Sequence, residues 1–82
     1  MRYVIVIVTD MRGGIVRYRR CEVEHGADMW EAMNEITNFE MQYMHIVKAE
    51  IIPAPEWNKN WFYSCTDEQG RTYDYRIFLE KD

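Results

Sequence analysis

The stretch "RYVIVIVT" (2–9) decides the fold. Its β-branched and aromatic residues favour a strand. Side chains in a strand alternate between faces, and this run is apolar on both. A strand of that kind belongs inside a sheet, with cover on each side. The apolar run Tyr3–Val8 is short for a secretory signal core and far too short to span a bilayer.

The neighbouring segments supply its partners. "DMRGG" (10–14) reads as a turn, since paired glycines accept positive φ. "IVRYRRCEVE" (15–24) alternates, with Val16, Tyr18 and Arg20 on one side. Ile15, Arg17, Arg19, Cys21 and Val23 take the other side, and the two strands pair as a hairpin. The period then changes in "HGADMWEAMNEITNFEM" (25–41). Asp28 with Glu31 forms an Asp version of the capping box, and Met29, Met33, Ile36 and Phe39/Glu40 follow helical spacing. The spacing predicts a helix over 28–41, with Met29, Trp30 and Met33 in the core and Glu31, Glu35 and Glu40 towards solvent.

"MHIVKAEIIP" (44–53) predicts a third strand, with Val47, Ala49 and Ile51 on one face and Pro53 as its stop. Pro53 to Asn60 then reads as a crossover with "NKN" at its tip. "WFYSCT" (61–66), "DEQGR" (67–71) and "TYDYRIFLE" (72–80) make a second hairpin. Trp61, Tyr63 and Cys65 share one face, as do Tyr73, Tyr75, Ile77 and Leu79. The predicted fold is α+β in the order β-β-α-β-β-β. It is one domain over residues 1–82, an antiparallel sheet of about five strands with one helix packed on one face. One helix leaves the other face to be covered by the Trp57–Trp61 segment or by a second copy of the chain.

Charge and composition narrow the function. The chain has 82 residues, a net charge of −4, seven Arg, six Met, three Trp and six Tyr. Residues 1–26 sum to +2, 27–56 to −5 and 57–82 to −1. Duplex binders are usually basic overall, so the total weighs against that class. Two Cys without a Cys-x-x-Cys pair predict a reduced, cytoplasmic protein. Cys21, His25, His45 and Cys65 could be soft metal ligands, but their spacing is not that of structural zinc, and neither metal nor cofactor is expected. Both thiols sit within predicted strands, Ser64 is the only serine, and no paired carboxylates point to a cleft. The chain is therefore expected not to be an enzyme.

Arg, Tyr, Trp and Met are the residues enriched at the cores of protein interfaces. Two candidate contact surfaces follow. One is the first hairpin, with Arg12, Arg17, Arg19 and Arg20. The other is Trp57, Lys59, Trp61, Tyr63 and Tyr73, while Met11, Met41 and Met44 are not easily placed inside. The expected partner is a protein or ribonucleoprotein. The alternatives are a nucleic acid on the arginine hairpin and a homodimer through the open sheet face; no membrane association is expected.

Two resemblances bear on this reading. "MRYVIVI", "RGG" and "HGADMWEAMNEI" resemble the start of HicB-type antitoxins over residues 1–36, which makes an antitoxin-like or homodimeric structural protein a further alternative. The first hairpin, the "ADMWEAMNEI" helix start and the closing "YSCTDEQGRTYDYRI" hairpin are similar to small phage-encoded inhibitors, including anti-CRISPR proteins. That second resemblance implies a non-catalytic protein that blocks a host nucleic-acid machine by binding it. It transfers no site residue, because that group shares no common site.

Overall fold

The computed structural model describes residues 2–24, 26–52 and 61–80. The elements are β1 (Arg2–Asp10), β2 (Ile15–Val23), α1 (Met29–Tyr43), β3 (Ile46–Ile51), β4 (Trp61–Asp67) and β5 (Thr72–Glu80). All five strands form one antiparallel sheet in the order β2-β1-β5-β4-β3. The predicted α+β class and element order hold. β1 lies inside the sheet, paired with β2 and β5. No described helix is long and apolar enough to cross a membrane.

Both hairpins are built by the same device. Asp10 Oδ1 accepts the backbone N–H groups of Arg12 and Gly14, each at 2.9 Å. Asp67 Oδ1 accepts those of Gln69 at 2.9 Å and Arg71 at 2.8 Å. The fourth residue of each turn must take a left-handed conformation, and glycine supplies it at Gly13 (φ 82°) and Gly70 (φ 80°). The pattern Asp-x-x-Gly-x therefore encodes both turns.

The helix begins where the sequence indicates. Asp28 accepts the N–H of Trp30 at 2.9 Å and of Glu31 at 3.4 Å, satisfying donors that the first turn leaves free. It runs to Tyr43, two residues beyond the predicted end. His45 then turns the chain out at φ 55°, in the left-handed region where glycine is usual.

The core lies between α1 and one sheet face. It gathers Val4, Val6 and Val8 of β1, Cys65 of β4, Tyr73, Tyr75 and Ile77 of β5, Val23 and Met33. Met29, Ile36, Met41, Met44, Ile46, Trp61, Tyr63 and Leu79 pack around it.

Four expectations are corrected. Glu40 faces inward and is fully buried, because Met33, Thr37 and Glu40 form the buried stripe and two arginines wait beneath it. Trp30 is 65% exposed and meets Trp61 edge to face at 5.2 Å instead of entering the core. Met41 and Met44 do pack against the core, and only Met11, on its turn, stands in solvent. The segment after Ile51 does not cross over: β3 and β4 are adjacent and antiparallel, and α1 carries the chain from one sheet edge to the other. The proposed stop at Pro53 and tip at 58–60 lie outside the described residues.

Candidate binding surface

Residues of opposite parity to the core fall on the other face of the sheet, which α1 does not cover. Strand register sets out this face in rows. Tyr18, Ile7, Arg76 and Phe62 align across β2, β1, β5 and β4. Arg20, Ile5 and Phe78 form the next row. Glu22, Tyr3 and Glu80 bound one end, and Thr9, Asp74, Ser64 and Glu50 bound the other. The face is thus an apolar and cationic stripe between two acidic borders.

Its side chains cover one another in part. The Arg20 guanidinium lies 3.6 Å from the centroid of the Tyr3 ring, and its Nε donates to Glu80 at 2.7 Å. Arg76 lies 5.5 Å from the Phe62 ring centroid. Ile5 is 5% exposed, although it sits on this face and outside the core cluster. The Arg76 Nε is buried without a hydrogen-bond partner among the described residues. An orphaned donor of that kind is uncommon, because burial removes its water and nothing replaces it.

The helix-covered face holds a different charge cluster. Both Glu40 oxygens are used. Arg17 Nε and Glu40 Oε2 form one ion pair, Arg17 Nη2 donates to Oε1 at 3.2 Å, and Arg19 Nη1 donates to Oε1 at 2.7 Å. Tyr43 lies 3.9 Å from the Arg17 guanidinium, and Phe39 lies 5.1 Å from that of Arg19. These two exposed aromatics roof the arginine pair. Burial alone would push the Glu40 carboxyl up, but the bonds and charges of Arg17 and Arg19 outweigh it and hold the group below its ordinary range. The same contacts raise Arg17.

Cys65 and Tyr75 are packing groups. Burial pushes the Cys65 thiol up to about 12, which leaves almost no thiolate at neutral pH. Burial also raises Tyr75, whose hydroxyl donates to the Glu40 carbonyl at 3.4 Å. No group of His, Cys, Asp and Glu able to hold a metal occurs among the described residues. His25, one of the four candidate ligands, lies outside them.

The structure distributes the sequence-derived contact residues over several surfaces. Arg12 is exposed on the first turn. Arg17 and Arg19 are tied to Glu40 on the helix side, while Arg20 lies on the open face. Trp61, Tyr63 and Tyr73 belong to the helix-covered face and pack in or against the core. Trp57 and Lys59 lie outside the described residues.

Four open-face residues, Ile7, Phe62, Arg76 and Phe78, were not singled out from sequence. The signal was present: placing Tyr73, Tyr75, Ile77 and Leu79 on one face of β5 puts Arg76 and Phe78 on the other. Comparison of the chain with protein-family models, with curated proteins and with solved structures found no match.

Proposed function

We propose that this chain is a small, non-catalytic binding protein, a stoichiometric inhibitor or adaptor acting on a protein or ribonucleoprotein. The observation that carries the reading is the open sheet face, where Ile7 and Phe62 flank Arg76 and its orphaned Nε, Phe78 lies two residues on along β5, and Tyr18 extends the row beyond Ile7. Aromatic and arginine side chains at the centre of a patch, with acids at the border, are the make-up of an interface core and rim. A partner that displaces the side chains over Arg76 would bring a carbonyl or carboxylate to that donor. The action in the cytoplasm of a phage-infected cell, as an anti-CRISPR-like inhibitor, extends this reading by resemblance.

The nucleic-acid alternative is weaker than the arginine count implies. Glu40 occupies Arg17 and Arg19, and Glu80 occupies Arg20. Binding to phosphate would have to displace those carboxylates.

The test is affinity capture from the lysate of the native host, read by mass spectrometry, with wild type beside Phe78→Ala and Arg76→Ala. One partner should be recovered at a fixed ratio and lost with either variant, while thermal melts show that both still fold. Retention of RNA or DNA with no protein partner, declining steeply with salt, would replace this reading with the nucleic-acid one.

A further inference from the structure

The two outer strands of the sheet are β2 and β3. β2 carries Arg17, Arg19 and Arg20, the kind of charged edge that resists pairing. β3 has the sequence Ile-Val-Lys-Ala-Glu-Ile, and five of its six residues are exposed. Val47 is 65% and Ile51 72% exposed. A strand edge with exposed apolar side chains and unpaired peptide groups is a template for another strand.

The register of β3 shows which of its peptide groups no described residue pairs. The N–H of Ile52 donates to the Phe62 carbonyl of β4 at 2.9 Å. Hydrogen-bonding direction alternates along an antiparallel strand, so Glu50 and Lys48 also point towards β4. Ala49 and Ile51 therefore aim their N–H and C=O groups outward.

We propose that two copies of this chain pair β3 to β3, antiparallel, about a two-fold axis through Ala49. Each five-stranded sheet continues into the other. Ala49 hydrogen-bonds Ala49 of the second copy, and Ile51 faces the irregular stretch between Ile46 and Lys48, where Val47 is exposed. On the other face, Lys48 stands opposite Glu50 of the second copy, twice over.

The charges select this arrangement. An axis through Lys48 would set that lysine against itself, and an axis through Glu50 would oppose two carboxylates. Intermediate registers would set outward-facing residues against inward-facing ones. A lysine on an edge strand ordinarily blocks pairing. Here Glu50 cancels that block for a symmetric partner, because the Lys48–Glu50 pair, 3.1 Å apart within one chain and about two-thirds exposed, is self-complementary under the two-fold.

Sedimentation velocity over a concentration series tests the pairing. Wild type should pass from monomer to dimer. Lys48→Glu makes every facing charge acidic and Glu50→Lys makes every one basic, so each alone should weaken association roughly tenfold or more. An equimolar mixture of the two variants restores opposite charges at both positions and should dimerise again. Ala49→Pro deletes an outward N–H and should leave a folded monomer, since an edge strand tolerates proline on its free side. Wild type that stays monomeric at its highest soluble concentration overturns the proposal. So does a dimer indifferent to all three variants; if that dimer is lost on Phe78→Ala, the copies meet through the open face instead.

Discussion

The two faces of this sheet handle the same residue type in opposite ways. Arg17 and Arg20 are three positions apart on β2. Arg17 points under the helix, meets a fully buried carboxylate and is 20% exposed. Arg20 points away, meets Glu80 and is 47% exposed, against 41% for its partner. The difference lies in what removing a partner leaves behind. Beneath α1, losing an arginine leaves a fully buried carboxylate short of a partner, whereas on the open face water takes the vacant place.

The largest effect is therefore expected at Glu40. A domain of this size has a total stability of about 4–12 kcal/mol. Removing one partner from a buried ion pair costs about 3–5 kcal/mol. Glu40→Ala should fall at the low end and still lower the melting temperature markedly, because Arg17 is 20% and Arg19 44% exposed, and water reaches part of each guanidinium left behind. Acid should act on the same link. The folded carboxyl titrates below its ordinary 4.5, so its contribution is complete above that value. It is lost as pH falls through the lowered folded value. Thermal melts taken from neutral pH down through the carboxylate range should show this loss in wild type. In Glu40→Gln that component of the acid slope should be missing, and an unchanged slope would mean that Glu40 is not the titrating link.

The same contrast separates what could be read in the sequence from what could not. The period-2 alternation of β2 placed Arg17 and Arg19 on one side and Arg20 on the other, as the register shows. The paired glycines of "DMRGG" marked the first turn and "DEQGR" the second, though the aspartate that closes each was not read, and the apolar parity of β1 required cover on two sides. Glu40 escaped because local chemistry argues for solvent at a glutamate on a helix. Its burial depends on arginines 21 and 23 residues away, a tertiary pairing that no local pattern carries. Trp30 escaped for the converse reason. Size and hydrophobicity argue for the core, yet its position on α1 places it beside Trp61, above the sheet margin. The candidate surface was half legible: its bareness followed from counting helices, but the aromatics proposed for contact on the second hairpin, Trp61, Tyr63 and Tyr73, had the parity of the core.

An intermediate effect is expected at Ile5, which makes the contrast between the faces less absolute. It is buried on the open face between the register positions of Arg20 and Phe78. If that apolar row is part of the folded structure, Ile5→Ala should cost about 2 kcal/mol, the low end for a buried isoleucine because the open side can relax. Chemical denaturation measures it. A loss under about 0.5 kcal/mol, the usual value at a surface position, would make the row a contact surface alone.

The smallest effect is expected at Arg20. Arg20→Ala removes a solvent-exposed ion pair and a cation stacked on Tyr3. Water screens the first, and a cation–π contact at an exposed site contributes little. The melting temperature should therefore move only slightly, and raising salt in wild type should reproduce part of that shift, since ions screen exposed charges and reach buried ones poorly. The Arg17 pair, beneath the helix, should be insensitive to the same salt. If Arg20→Ala instead destabilised the protein as much as Arg17→Ala, the open face would have to be as dry as the closed one. Something would then cover it in the isolated protein, and the orphaned donor of Arg76 would have its partner there rather than on a separate molecule.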